Sequence, residues 1–215
     1  MIAVKICGIT NPEDAALAVE LGARAIGLVF WPASPRAVDR ARAREIVSTL
    51  PLNVDAIGVF VNQTEDAVDI AHDIGLSAVQ LHGDEAPDSY RSLVSSSNGV
   101  EVIKAVPVRD ESAVRNAREV PQGATVLLDA HDTVRRGGTG QTIDWSVAAR
   151  IARERPVILS GGLNAGNVLE AIEAVQPAAI DVSSGVESAP GRKDPEKLRA
   201  FFETLRHSSF VIRHS

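Results

Sequence analysis

Short runs of β-branched and other apolar residues alternate along this chain with longer stretches in which apolar positions recur at helical spacing. The runs are Val4 to Cys7, Ala25 to Val29, Asp55 to Val61, Ala78 to Leu81, Glu101 to Val106, Thr125 to Asp129, Pro156 to Ser160 and Ala179 to Val182. They are nearly continuous in apolar character, as expected of parallel strands covered on both faces. Helical spacing fills the intervals. Pro12 to Leu21 opens on Asn11-Pro12-Glu13-Asp14, a capping residue followed by proline at the first helical position, and stops at Gly22. Comparable signals bracket Asp39 to Leu50, Thr64 to Asp73, Ala86 to Val94, Glu111 to Arg118, Trp145 to Glu154, Asn167 to Ala174 and Asp194 to Leu205.

The eight strand-then-helix units begin near positions 4, 25, 55, 78, 101, 125, 156 and 179. Eight is the number that closes a parallel sheet, so the pattern predicts an α/β fold of the (β/α)₈ TIM-barrel kind in a single domain. An open doubly wound sheet would carry Gly-x-Gly-x-x-Gly after its first strand, whereas Cys7-Gly8-Ile9-Thr10-Asn11-Pro12 has one glycine. The expected organisation is a catalytic barrel over residues 1–206 and a loosely held C-terminal extension over 207–215.

Composition narrows the partners. Of 215 residues, 45% are hydrophobic and 23% charged, enough for a sizeable core and unlike a disordered or fibrous chain. A net charge of −6 repels phosphate polymers and anionic membrane surfaces, so no nucleic-acid partner is expected. No uncharged run approaches the ~18 apolar residues that span a bilayer. With Cys7 as the lone cysteine, neither an intramolecular disulfide nor a Cys-x-x-Cys site can form. Lys5 interrupts what would be the apolar stretch of a signal peptide, so the expected location is the cytoplasm.

In barrels of this kind the chemistry sits at the C-terminal ends of the strands and in the loops that follow. That rule selects Lys5 and Cys7 after the first strand, the Trp31 to Arg36 loop after the second, Asn62 and Gln63 after the third, and His82 after the fourth. It further selects Asp129 after the sixth, Ser160-Gly161-Gly162 after the seventh and Ser183-Ser184-Gly185 after the eighth. The last two loops lie where such barrels hold a phosphate, and Gly137-Gly138-Thr139-Gly140 is a further donor-rich segment over the same mouth. The alternative is that these glycines only shape tight turns.

Asp129 ends an apolar strand, and partial desolvation there suits a general acid, unless Arg135 or Arg136 holds it as a structural carboxylate. Cys7 is either a small buried hydrophobe or a thiol at the mouth whose thiolate Lys5 or a helix terminus favours. Arg36, in a loop stiffened by Pro32 and Pro35, suits two-bond recognition of a carboxylate, or else is a surface arginine. His82 lacks partners at metal spacing, so it contacts substrate or makes core hydrogen bonds, and no metal is expected.

These residues also form a set of strings in order: Lys5-Ile6-Cys7-Gly8-Ile9-Thr10, Gly27 through Arg36, Val79-Gln80-Leu81-His82-Gly83, Leu127-Leu128-Asp129, Gly137-Gly138-Thr139-Gly140, Leu159-Ser160-Gly161-Gly162-Leu163 and Asp181-Val182-Ser183-Ser184-Gly185-Val186-Glu187. Over residues 2 to 205 the chain resembles the phosphoribosylanthranilate isomerases, departing at Leu28, where phenylalanine is commoner, and at Ala130-His131-Asp132. The resemblance implies a cofactor-free Amadori rearrangement in tryptophan biosynthesis. In that reading Asp129 is the acid that opens the furanose and Cys7 the base that removes the sugar C2 proton. Arg36 meets the anthranilate carboxylate. Lys5, His82, Gly138, Gly140, Gly161, Gly162, Ser183, Ser184 and Gly185 complete the substrate site. Such a chain works as a monomer or homodimer on a small molecule. Two rival readings are a phosphosugar aldolase or lyase with a Schiff base on Lys5 or Lys104, and a barrel that binds a phosphate ligand without turnover.

Overall fold

The computed structural model describes residues 2–130 and 143–207. Its strands are β1 (Ala3–Cys7), β2 (Ala25–Val29), β3 (Asp55–Phe60), β4 (Ala78–Leu81), β5 (Glu101–Pro107), β6 (Ala124–Asp129), β7 (Val157–Leu159) and β8 (Ala179–Val182). The helices are α1 (Pro12–Leu21), α2 (Arg40–Ser48), α3 (Ala67–Ile74), α4 (Pro87–Ser96), α5 (Ser112–Glu119), α6 (Trp145–Ala152), α7 (Val168–Val175) and α8 (Pro195–His207). Each strand pairs in parallel with the next and β8 returns to β1, closing an eight-stranded barrel. The expected (β/α)₈ architecture is the one found. The 208–215 part of the expected extension and the glycines at 137–140 lie outside the described residues.

Local signals set the ends of the elements. The Asn11 side chain accepts from the Asp14 amide at 2.8 Å to start α1, and Gly22 ends it in a left-handed conformation. The helix expected from Thr64 instead begins at Ala67, with Thr64 to Asp66 leading into it. A short 3₁₀ turn (Ser184–Val186) and an antiparallel ribbon of β9 (Glu187–Ala189) and β10 (Arg192–Lys193) follow β8, and no sequence pattern announced them.

Side-chain alternation divides every strand between two environments. Val4, Ile6, Val79, Leu81, Val126, Leu128, Ile180 and Val182 join the main core, to which the helices contribute Ala15, Ile46, Ile70, Phe201 and Phe202. The opposite positions fill the barrel interior, with Ile57, Ala78, Ile103, Ala105 and Leu127 in one cluster and Cys7, Val29 and Val59 in another. Lys5, Gln80, Asp129 and Asp181 share this inward parity and are buried. Charged and polar side chains inside a barrel are costly unless they find partners, which makes their pairings informative.

Candidate active site

At β1, Lys5 and Asp181 are partners in the β1–β8 register, and their side chains form a buried ion pair at 2.9 Å. Ser160 Oγ, at the end of β7, donates to the other Asp181 oxygen at 3.5 Å. Burial works against the Lys5 charge, but Asp181 and Cys7 more than offset it and hold the ammonium above its ordinary range. Lys5 is therefore paired with Asp181 beside the Cys7 thiol inside the barrel. Asp181, a charge inside an apolar run, carried a signal that could have marked it as the partner.

Cys7 lies at the upper end of the same strand, 9% exposed. Burial pushes its thiol up, Lys5 pulls it down, Asp181 raises it and Lys193 lowers it, with a net upward shift. Lys5 is beside the thiol as anticipated, but removal from water outweighs its pull toward the thiolate. The main-chain oxygen of Cys7 accepts from Lys193 Nζ at 2.6 Å, and Ser183 O accepts from the same ammonium at 3.3 Å. Lys193, on β10, fixes the end of β1 against the end of β8; nothing in the sequence marked it.

The thiol and the Lys5 ammonium crowd the inward face of β2. A Cβ placed on Gly27 would lie 2.8 Å from Cys7 Sγ, 3.0 Å from Lys5 Nζ and 3.1 Å from Cys7 Cα. Gly27→Ala is expected to displace the thiol and overpack the interior at a cost of ~1–3 kcal/mol. Tm should fall by about 2–4 °C per kcal/mol, and kcat should fall with it. A thermal melt and a steady-state assay that both match wild type would refute this crowding.

Arg36 takes its carboxylate from within the chain. Its Nε and Nη2 donate to the two oxygens of Glu187 at 2.9 and 2.6 Å, and Lys193 also donates to Glu187 at 2.9 Å. Burial raises the Glu187 carboxyl, yet Arg36 and Lys193 together hold it below the usual carboxylate range. The guanidinium is neither free nor a bare surface group, and one of its edges is already in use. Among the described residues its Nη1/Nη2 edge has no second carboxylate, and that edge suits a planar anion.

On the far side of the mouth, three strands round from β1, Asp129 Oδ2 lies 2.9 Å from His82 Nε2, and His82 Nδ1 lies 2.8 Å from the Gln80 amide nitrogen. Asp129 is 5% exposed. Both ring nitrogens of His82 are engaged, by Gln80 and Asp129. Arg135 and Arg136, the other candidate partners of Asp129, lie outside the described residues, as do Gly138 and Gly140.

Asp129, Ser160, Gly161, Gly162, Leu163, Asp181, Val182, Ser183, Ser184 and Gly185 line one cleft, so the two Gly/Ser loops converge beside the carboxyl group. Gly161 and Gly162 turn at φ of +91° and +65°, a left-handed conformation that favours glycine. Asn164 and Asn167 donate to the Gly162 oxygen at 3.2 and 3.0 Å and hold that carbonyl. The first N–H groups of the 3₁₀ turn, at Ser184 and Gly185, lack acceptors within it and are suited to an anion. Lys104 is tied to the Gly83 oxygen and to Glu85 at 2.8 and 2.7 Å. A Schiff-base lysine must be neutral and free to attack, a state opposed at both Lys5 and Lys104 by their carboxylate partners.

A closed parallel barrel with a thiol, a carboxyl group and two anion-suited loops at one mouth belongs to the barrel enzymes that act on small phosphorylated molecules. Residues 4–204 match the family model of N-(5'-phosphoribosyl)anthranilate (PRA) isomerase. The chain is 46% identical over 209 residues to the N-(5'-phosphoribosyl)anthranilate isomerase of Pelobacter propionicus, covering 97% of each chain. It is 48% identical over 208 residues to that of Thermotoga neapolitana, covering 96% of this chain and 99% of the relative. The Thermotoga maritima phosphoribosylanthranilate isomerase crystal structure matches with a TM-score of 0.86 at 43% identity over 96% and 99% of the two chains. A phosphoribosylanthranilate isomerase crystallised with reduced 1-(o-carboxyphenylamino)-1-deoxyribulose 5-phosphate matches at 0.83 and 41%, over the same shares. The chain belongs to the N-(5'-phosphoribosyl)anthranilate isomerase family. No helix among the described residues is long and apolar enough to cross a membrane.

Proposed function

We propose that this chain isomerises N-(5'-phosphoribosyl)anthranilate to 1-(2-carboxyphenylamino)-1-deoxyribulose 5-phosphate, with Asp129 as the acid and Cys7 as the base. The observation that carries the assignment is the pair of inward positions at the ends of β1 and β6, where a thiol and a carboxyl group face one mouth from separate strands. The Amadori rearrangement calls for a proton donor and a proton acceptor on different parts of the sugar. Asp129 gives its proton to the furanose oxygen as the C1–O bond breaks and the aniline nitrogen lone pair forms an iminium. Cys7 then takes the C2 proton, and the electron pair released makes the C1–C2 double bond of an enolamine. Tautomerisation adds a proton at C1 and removes one from the C2 hydroxyl. Over the cycle the acid regains a proton and the base loses one. Carbon is neither oxidised nor reduced overall, so an acid and a base suffice, without a redox cofactor.

The two Gly/Ser loops are assigned to the phosphate: Gly161, Gly162, Ser183, Ser184 and Gly185 supply backbone and hydroxyl donors beside Asp129. Gly138 and Gly140 remain assigned to the same anion from the resemblance alone. Arg36 is assigned to the anthranilate carboxylate through its Nη1/Nη2 edge, with Glu187 fixing the plane of the guanidinium. Lys5 and His82 serve the site from behind, through Cys7 and Asp129. All these groups come from one chain, so the site needs no partner copy and is the same in a monomer or a homodimer. We assign residues 1–206 to this catalytic unit and 207–215 to an extension that starts at His207, the last residue of α8. A free catalytic thiol and a biosynthetic reaction support a cytoplasmic location.

Loss of the substrate's fluorescence on adding the protein tests the activity. The carboxylate assignment has its own test. Arg36→Met should lower kcat/KM for phosphoribosylanthranilate by about 10- to 150-fold, the worth of a charge-assisted hydrogen bond of ~1.5–3 kcal/mol. An analogue lacking the ring carboxylate should react equally with both proteins. Equal losses on the two substrates would mean that Arg36 only supports its loop.

A further inference from the structure

Gln80 is fully buried on the inward face of β4, and the proton transfers above make no use of it. Its amide nitrogen lies 2.8 Å from His82 Nδ1, and the other ring nitrogen, Nε2, lies 2.9 Å from Asp129 Oδ2. The three side chains form one line from the barrel interior to the carboxyl group at the mouth. Gln80 Oε1 has no hydrogen-bond partner among the described residues.

The orientation of the amide decides where the His82 proton sits. With the nitrogen toward the ring, an N–H donates to Nδ1 and the group left over is a carbonyl oxygen. Turned the other way, the NH₂ would occupy that same position with no acceptor among the described residues, and orphaned donors are rarer in protein interiors than orphaned carbonyls. An Nδ1 that accepts from Gln80 cannot also carry a proton, because two N–H groups would then meet. With the amide in this orientation the ring carries its proton on Nε2, and that N–H donates to Asp129 Oδ2.

We propose that Gln80 is a positioning residue for the isomerisation, locking His82 in the neutral Nε2–H tautomer so that Asp129 receives a hydrogen bond on Oδ2 and delivers its proton from Oδ1. The proposal rests on the reading of Asp129 as the acid. When the Oδ1–H bond breaks and the furanose O–H bond forms, the electron pair stays on the carboxylate, which the His82 N–H already faces. His82 neither gains nor loses a proton, in contrast to a histidine that carries protons in a nucleophilic triad. A ring free to exchange tautomers would spend part of its time with a bare Nε2 lone pair against Asp129, leaving the new carboxylate without its donor.

The test combines ring-nitrogen NMR with kinetics on the full-length protein. In ¹⁵N-labelled wild type, the His82 signals are identified by their loss in His82→Gln, which separates them from those of the other four of the five histidines. The expected result is a protonated Nε2 and an unprotonated Nδ1. Gln80→Met keeps the shape and removes the donor, so its His82 shifts should move toward a tautomer average. Its kcat should fall about tenfold, the worth of one hydrogen bond, with KM within about twofold. On an Asp129→Asn background the same substitution should have no further effect on kcat.

A wild-type His82 protonated at Nδ1 overturns the lock, whether or not Gln80→Met folds. Unchanged kcat in a folded Gln80→Met overturns the catalytic role, and so does a tenfold loss that persists in the Asp129→Asn background. Wild-type kcat in Asp129→Asn itself overturns the underlying acid assignment, and the nitrogen shifts then report on the lock independently.

Discussion

Cys7→Ser is expected to lower kcat by about 10²- to 10⁴-fold, the range for loss of a positioned base, while affinity for a product analogue stays within a few-fold. The hydroxyl is nearly isosteric with the thiol but is a far weaker acid, so little of the conjugate base exists at any working pH. The thiol is itself pushed up by burial, with Lys5 and Lys193 opposing the shift. A raised thiol gives the base limb a definite sign: the thiolate is scarce below the ordinary range near 8.5, so its fraction grows as pH rises, while deprotonation of the Asp129 acid opposes that gain. Wild-type kcat/KM should therefore show two limbs, of which Cys7→Ser changes the one set by the thiol. Steady-state kinetics across that range, with analogue binding measured in parallel, check both statements. A Cys7→Ser kcat within threefold of wild type would remove Cys7 from the role of base.

Asp129→Asn should lower kcat by a comparable factor, because an amide keeps the shape of the carboxyl group and has no proton to deliver. His82 Nε2, 2.9 Å from Asp129 Oδ2, can still donate to an amide oxygen, so the cleft should stay in place and KM should change little. The split between kcat and KM separates lost chemistry from a disturbed site. Full activity in Asp129→Asn would reassign the acid.

Much of the barrel was legible in the pattern of apolar positions. The bounds of β2, β4, β8 and α1 follow directly from apolar runs closed by capping residues, proline or glycine. The β9–β10 ribbon was not legible, since its two strands total five residues and are mixed in polarity. Positions at strand ends were legible as well, because the fold rule points to them without knowledge of contacts. The partners were not. Lys5 and Asp181 are 176 positions apart, Arg36 and Glu187 151, and His82 and Asp129 47; closure of the barrel brings each pair together. The partners of Lys5 and His82 inside the barrel, Asp181 for the one and Gln80 and Asp129 for the other, were therefore hidden in the sequence. Desolvation was hidden for the same reason: a sequence shows Lys5 two residues from Cys7 but not how far the thiol is removed from water.

The division of labour between Cys7 and Asp129 is tested most directly by the kinetic isotope effect of deuterium at the sugar C2 on kcat/KM, compared between the two variants. In Cys7→Ser, removal of the C2 proton is the impaired step, so a large primary isotope effect is expected. In Asp129→Asn, ring opening is the impaired step and precedes any C–H cleavage, so the effect should lie close to unity. A large effect in Asp129→Asn together with none in Cys7→Ser would contradict the assignment of acid and base.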